Sequence, residues 1–404
     1  MTPERQHFGG LSGDKAEGGL NGEEPGALFE CFCCHSAAGG PQKHSPMSGQ
    51  RVGFCLSDKK RRRMNLDAFV EYCAVHGVEV VEIDLTQPLE PQGPFDIIVH
   101  KLSDVIVDAE RDSKSQQLLS NFQGYVSAHP STILLDPLPA MTQLLDRFAS
   151  YRIMSKLRNS LRDWRICSPP YLEIHSSSDL SSIQQLVMTQ GLSFPLICKT
   201  RVAHGSLSHE MSLIFSEGSL ADVHPPCVLQ SFVNHGAVLH KVFVVGDRHF
   251  CVDRPSLKNF PSGPCERETI FFNSHHVSKP ESSSDLTEMD EQMPYLPPPS
   301  SEAVAALVRE LRVQLGMALF GVDVIINIHT HTLTVIDINI FPGYEGVPQF
   351  FSSLLSHIQS VLDKQASAAS RACLSPESTK TTTPATTSLS VTSQTDISAS
   401  SLKD

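Results

Sequence analysis

Phe320-Gly321-Val322-Asp323-Val324-Ile325-Ile326-Asn327, a polar break, then Thr334-Val335-Ile336-Asp337-Ile338-Asn339-Ile340-Phe341-Pro342-Gly343 reads as the two strands of one hairpin. Both arms are rich in β-branched residues, and the polar residues 329–332 furnish the turn. Pairing symmetric about Thr330 sets Asp323 opposite Asp337, and the two-residue period of a strand puts Asn339 on the same face. Three oxygen-bearing side chains then converge where apolar neighbours are otherwise expected. Hard oxygen ligands with few carboxylates, leaving room for phosphate oxygens, suit Mg²⁺ better than Zn²⁺ or Ca²⁺. The hairpin therefore points to a metal-bound nucleotide. The plainer alternative is a pair of carboxylates facing solvent at strand ends.

The rest of the chain sets bounds on that reading. Its 404 residues, 40% apolar and 19% charged, are enough for two or three soluble domains. No apolar run approaches the ~18 residues that span a bilayer, and the N-terminus lacks the basic-then-apolar pattern of a signal peptide, so a cytoplasmic protein without a membrane span is expected. The 11 cysteines are odd in number and lie mostly inside apolar segments, which fits reduced thiols better than a disulfide framework. Cys31, Cys33 and Cys34 cluster with His35 but lack a second ligand pair at zinc spacing. Net charge is −12, opposite to the balance of a nucleic-acid binder. An anionic ligand must therefore be held by a local basic cluster.

Composition and periodicity divide the chain. Residues 1–50, Gly-rich, and 365–404, rich in Ser and Thr, are expected to be disordered. Between them an α/β alternation opens with strands at 51–56, 78–85 and 95–101 and a helix at 66–76, suggesting a parallel sheet over 51–145. A helix at 144–157 leads into a second unit, 146–246, with strands near residues 196–199, 227–230 and 239–245. The third, 247–364, holds the hairpin, a helix capped by Ser300 or Ser301, and a last helix with Phe351, Leu354, Leu355, Ile358, Val361 and Leu362 on one face. Those apolar stripes are core. The acidic, Ser- and Pro-rich segment 281–299 is expected to be a mobile insertion.

A nucleotide binder usually declares a phosphate cradle, yet no Gly-Lys dipeptide occurs, which excludes a Walker loop, and the protein-kinase signatures are missing. The candidate is Lys199, closing an apolar strand and followed by a loop with Arg201, His204, Gly205 and His209. A lysine there acts as a point charge on phosphates under a loop that can close; a surface lysine beside ordinary loop histidines is the alternative. Next, in the stretch 230–246, a strand edge and turn could hold an adenine through the backbone. Lys241 lies inside an apolar strand, where an unpaired ammonium is costly, so it meets either a phosphate or a carboxylate.

These pieces, in this order, resemble the ATP-grasp fold: α/β, three α/β domains around a central nucleotide cleft, with disordered tails. His100-Lys101-Leu102, the run from Lys199 to Gly205, Ser208-His209-Glu210, Arg254-Pro255-Ser256-Leu257-Lys258-Asn259, Phe271-Phe272-Asn273-Ser274-His275 and the run from Asp337 to Gly346 resemble the inositol 1,3,4-trisphosphate 5/6-kinase (inositol-tetrakisphosphate 1-kinase) family over about residues 51–364. The resemblance implies an ATP-dependent kinase adding a phosphate to a ring hydroxyl of inositol tris- or tetrakisphosphates, with phosphate exchange between inositol polyphosphates through retained nucleotide. It implies that Lys60, Lys101, His209, Lys241, Asn339 and Gly343 hold the inositol phosphate, and that Lys199, His209 and Lys241 take part in catalysis. It gives the ATP contacts as Arg147, Lys199, Gln230, Ser231, Phe232, Val233, Asn234, His235, Gly236, Ala237, Val238, Leu239, His240, Lys241, Ser256, Ser274 and Ser278. Asp323, Asp337 and Asn339 would hold Mg²⁺, as two ions, and the protein would be a monomer. Two positions depart from the family pattern: His240 replaces a common aromatic, and Ile340 a residue that is frequently smaller.

Four phosphate monoesters bring roughly −6 to −8 of charge at neutral pH. With a Debye length of ~8 Å the distant acidic surface is screened, while contacting cations are not. The run Lys59-Lys60-Arg61-Arg62-Arg63, Lys101 and Lys241 can supply those cations if the domains close on one cleft. Taken alone, the run reads as well as a targeting signal or a solvated helix end. Two other functions compete: an ATP-grasp ligase joining a carboxylate to an amine, and a scaffold with a vestigial nucleotide site. The ligase has little use for so many cations around its second substrate. A decayed site would have no reason to keep Asp323, Asp337, Asn339 and Lys199 together.

Overall fold

The computed structural model describes residues 49–176, 179–288 and 296–373. Four strands come first: β1 (Gln50–Cys55), β2 (Val78–Glu82), β3 (Ile97–His100) and β4 (Ile133–Leu135). They form a sheet in the order β2-β1-β3-β4, parallel throughout, as the α/β alternation predicts. Parallel neighbours need crossovers, and the helix Leu66–Val75 is one. Its buried Phe69 meets Phe54 of β1 edge-on, with centroids 5.6 Å apart.

Ten strands follow: β5 (Ile166–Cys167), β6 (Tyr171–Ile174), β7 (Leu196–Thr200), β8 (Glu210–Ile214), β9 (Cys227–Ser231), β10 (Val238–Val245), β11 (Arg248–Pro255), β12 (Ile270–Asn273), β13 (Leu319–Ile326) and β14 (Leu333–Ile340). They make two five-stranded sheets, β12-β8-β7-β9-β6 and β11-β10-β13-β14-β5. The first is antiparallel throughout; in the second only the short β5 runs parallel to its neighbour β14. Within 146–246, β6 to β9 build the first of these sheets, while β5 and β10 pair into the second.

Local chemistry fixes the elements that carry the site. The helix expected at 144–157 begins three residues later and runs over Arg147–Leu161, after a separate short helix, Leu138–Gln143. The break is made by Asp146, whose side chain accepts from the amide of Phe148 (2.9 Å) and so starts the second helix one residue later, at Arg147. Ser300 caps the helix Ser301–Leu315, whose Val304, Leu307, Val308, Leu311 and Leu315 are buried, and Gly316 ends it at φ 63°, a left-handed conformation that suits glycine. Asp136, buried after β4, ties the first sheet to the last. Its two carboxylate oxygens accept from the amides of Ala318 and Leu319, both at 2.8 Å, where β13 begins. Burial pushes its carboxyl up to about 6 against the pull of those two bonds. Asp136→Ala strips both amides of their partner, at about 1–3 kcal/mol for each buried group left unpaired. A lowered urea midpoint with an unchanged m-value is the expected result.

Three boundaries differ from expectation. The last helix, Phe350–Cys373, runs past residue 364 because 365–373 is rich in Ala and disfavours no helical turn. The compact unit ends at Gln359, and Ser360 begins a second, whose described part is the end of that helix. The segment 281–299 is ordered at its start: a turn spans Asp285–Thr287, and Leu286 packs against the cluster of Phe215, Leu257 and Phe260. Residues 289–295, the Cys31, Cys33, Cys34 group, and the parts 1–48 and 374–404 of the tails expected to be disordered over 1–50 and 365–404 lie outside the described residues. No disulfide joins the described cysteines, of which Cys55, Cys73, Cys198 and Cys227 are buried. No helix among the described residues is long and apolar enough to cross a membrane.

Candidate active site

The hairpin pairs as its sequence suggests. Asp323 lies opposite Asp337, and Gly321 opposite Asn339. On the other side of β13, Lys241 of β10 is level with Asp323, so Lys241, Asp323 and Asp337 form one row across three strands. The symmetric pairing stops there: the register shifts between Asp323 and Val324, a bulge beside the carboxylates. Lys241 Nζ donates to both oxygens of Asp323 at 3.0 Å, so of its two anticipated partners the carboxylate is the one it meets. Asp323, Asp337 and Asn339 all line one cleft, a set of hard oxygens that fits Mg²⁺. A cation held by Asp323 would compete with the Lys241 ammonium and free it for another anion.

The facing wall comes from the middle sheet. Lys199, buried near the end of β7, reaches across to donate to the carbonyl of Ile336 on β14 at 3.0 Å, with the Tyr151 ring 5.4 Å below it. Burial pulls its ammonium down to about 8; Asp337 acts in the opposite sense, while Arg147 lowers it as burial does. Arg147, also buried, donates to the Ser208 carbonyl (3.2 Å) and to that of Thr200, bracing the loop after β7 at both ends. His209 ends that loop, its ring 3.8 Å from that of His275. Burial first, then Arg147 for His209 and His209 for His275, hold both imidazoles down at about 4, so they are neutral near pH 7. His204, in the same loop, pairs with Asp104 in the helix after β3, and that hydrogen bond is the main cause of the lowered Asp104 carboxyl. The loop is thereby tied to the first sheet's side of the cleft.

At the third wall Lys60 is the one buried member of the basic run, four residues from buried Met64 on the same helical face. Its ammonium lies 3.8 Å from the centre of the Phe341 ring and donates to the carbonyl of Pro342; Lys101 Nζ donates to that of Phe341 at 3.2 Å. Burial, then Lys101, push Lys60 well below the usual lysine range, and burial lowers Lys101 to about 8. Both ammonium groups converge on the loop after Asn339, where Phe341 (φ 32°) and Tyr344 (φ 60°) adopt left-handed conformations costly for aromatic residues.

The cleft encloses about 660 Å³, within the usual range for a small-molecule site. Of the sequence-derived residues, Lys60, Lys101, Arg147, Lys199, His209, Leu239, Lys241, Ser256, Ser274, Ser278, Asp323, Asp337, Asn339 and Gly343 line it. The lining does not include Gln230, Ser231, Phe232, Val233, Asn234, His235, Gly236, Ala237, Val238 or His240. Several of their side chains hold the fold together. Gln230 takes the Tyr151 hydroxyl, Asn234 exchanges two bonds with the backbone of Phe260 (2.8 and 2.9 Å), and His235 meets Ser256 Oγ at 2.7 Å. Arg254, His275 and Lys279 line the cleft and were not singled out from sequence, although Arg254 and His275 lie inside the quoted motifs.

Two lobes closing on a carboxylate hairpin, with a buried lysine on the facing sheet, define an ATP-grasp enzyme. Residues 51–141 match the inositol 1,3,4-trisphosphate 5/6-kinase pre-ATP-grasp domain, and residues 160–360 the ATP-grasp domain of the same kinases. An inositol-tetrakisphosphate 1-kinase of Danio rerio is 53% identical over 320 residues, 79% of this chain and 81% of that one. That of Xenopus laevis is 50% identical over 319 residues, 79% and 80%, and inositol-tetrakisphosphate 1-kinase 3 of Arabidopsis thaliana 36% over 321, 78% and 87%. This chain belongs to the inositol 1,3,4-trisphosphate 5/6-kinase family. Among solved structures, D-cycloserine synthetase DcsG shares the fold, with a TM-score of 0.50 at 14% identity over 78% of this chain and 99% of that one.

Proposed function

We propose that this enzyme transfers the γ-phosphate of ATP to a ring hydroxyl of an inositol tris- or tetrakisphosphate, as a cytoplasmic monomer. One observation carries the choice of a polyanionic acceptor. The cleft is lined by nine Lys and Arg side chains against four carboxylates, an excess of five cations in a protein of net charge −12. Lys59, Lys60, Arg63 and Lys101 sit at the wall made by the first sheet and its helices, where a second substrate would lie, and an amide-forming ligase has no such need. Lys199 and Arg147 are placed for the nucleotide phosphates, with the segment 230–241 offering backbone to the base and Ser256, Ser274 and Ser278 hydroxyls along the cleft. Asp323, Asp337 and Asn339 are the Mg²⁺ ligands, one ion or two, and the metal when bound neutralises charge on the transferring phosphate. Neutral His209 gives a hydrogen bond to an acceptor phosphate. The three sheets support a division into an acceptor-binding domain, 51–145, and two nucleotide-binding lobes, 146–246 and 247–364, with β5 and β10 crossing into the last sheet. Incubation with ATP, Mg²⁺ and a panel of inositol phosphates tests this reading. Phosphorylation of none of them, with ATP hydrolysis driven by a carboxylate and an amine, would replace it with the ligase.

The lowered lysines give the reading a pH signature. Near pH 8 the free enzyme carries Lys199 and Lys101 partly deprotonated, and incoming phosphate charge raises both. Binding of ATP at pH 8 should therefore take up protons at Lys199, and binding of the inositol phosphate should take them up at Lys101, each seen as a calorimetric heat that varies with the ionisation enthalpy of the buffer. Uptake through these lysines should vanish at pH 6, where both are charged already, and affinity should weaken as pH rises above 8. Equal uptake at pH 8 by Lys199→Met would remove Lys199 from the nucleotide site.

A further inference from the structure

We propose that His240, Cys251 and Asp253 form a binding site for a Zn²⁺-class ion on the face of the last sheet opposite the cleft. The ladder brings them together: His240 of β10 lies directly opposite Asp253 of β11, and Cys251, two residues before Asp253, projects from the same face. Lys241 alternates to the other face, toward Asp323. One ligand atom from each of the three residues lies within 4.8 Å of the others, and His240 Nδ1 is 2.6 Å from Asp253 Oδ1. Tetrahedral ligands around Zn²⁺ stand about 3.3–3.8 Å apart, given bonds of roughly 2.0–2.3 Å. Small side-chain rotations close the difference.

The donor set decides the ion. An imidazole nitrogen, a thiolate and one carboxylate oxygen suit Zn²⁺ and are poor for Mg²⁺, which takes oxygen. His240 is almost fully buried while the Asp253 side chain is 48% exposed, so one side of the site is open to water as a fourth ligand. On binding, Cys251 gives its thiol proton to solvent, and the ion takes the place of the hydrogen in the His240–Asp253 bond, which passes to solvent from an imidazolium or to Nε2 by tautomerism of a neutral ring. The result is a clamp between β10 and β11 next to Lys241, built from side chains on the face away from the cleft.

Cobalt reports on it directly. The protein is the full chain carrying Cys31→Ser, Cys33→Ser and Cys34→Ser, which removes the N-terminal thiolates, titrated with Co²⁺ alone. One equivalent should bind with a thiolate-to-cobalt charge-transfer absorption and tetrahedral visible bands, both abolished by Zn²⁺. Adding Cys251→Val should eliminate the charge-transfer absorption and weaken Co²⁺ binding at least tenfold; Asp253→Asn should weaken binding and keep the absorption. Circular dichroism checks the fold, and Cys251→Ser, closer in volume, serves if the valine variant does not fold. Charge-transfer absorption that survives loss of Cys251, or is absent before it, overturns the site.

Discussion

Asp337→Asn should abolish measurable phosphoryl transfer, a loss of at least ~10²–10³-fold, the scale for one preorganised electrostatic partner removed from a transition state. The substitution is nearly isosteric. Asp337 Oδ1 accepts from the Ile338 amide at 3.0 Å, and an asparagine oxygen can accept the same bond. The hairpin and the Lys241–Asp323 pair are untouched, so the unfolding midpoint should move little. What disappears is a negative charge with two jobs. On the proposed reading it is one of two carboxylates that hold Mg²⁺, and it counters the burial that lowers the Lys199 ammonium. The variant should therefore bind Mg²⁺-nucleotide weakly, and its proton uptake on binding ATP should move to lower pH because Lys199 loses its stabilising neighbour. Near-normal turnover at saturating Mg²⁺ would remove Asp337 from the metal site. An unchanged pH for proton uptake would separate it from Lys199.

The carboxylate row was legible because strand geometry is periodic: residues 323, 337 and 339 fall on one face whatever surrounds them, provided the turn is symmetric. The bulge after Asp323 was not, since it depends on how β13 also meets β10. Lys60 is an intermediate case. The run 59–63 looks solvated as a block, yet the i, i+4 spacing of Lys60 and Met64 already marks the face that turns inward. The adenine segment shows the opposite limit. Gln230, Asn234 and His235, in the segment expected to hold an adenine through its backbone, are engaged in packing the lobes, so their side chains say little about a ligand. The C-terminal boundary misled because Ala- and Ser-rich sequence suits a helix as well as a tail. Arg254 went unassigned because an arginine at a strand end is unremarkable until the fold turns it toward the cleft.

Lys199 and Lys60 should fail in different ways, and the contrast separates a kinase acting on a polyanion from a ligase or a scaffold. Methionine is the useful replacement at both, because each lysine is buried and a side chain of similar volume avoids a cavity. Lys199 faces the hairpin; on the proposed reading phosphate charge shifts there during transfer, so Lys199→Met should lower kcat by ~10²-fold or more. Lys60 lies at the opposite wall, against Phe341 and Pro342, with Lys101 beside it. On the proposed reading it holds phosphates that do not react. Lys60→Met should mainly raise the KM for the inositol phosphate and reduce the salt dependence of that KM, leaving the KM for ATP close to normal. Some loss of kcat is also expected, because the loop that Lys60 holds joins directly to Asn339 and looser alignment slows transfer. The decisive quantity is which parameter moves more. With ATP and inositol phosphate varied separately over a range of ionic strength, a Lys60→Met enzyme that binds inositol phosphate normally at low salt would return the 59–63 run to a solvated surface. A Lys199→Met enzyme with unimpaired kcat would move the reacting phosphate away from the hairpin altogether.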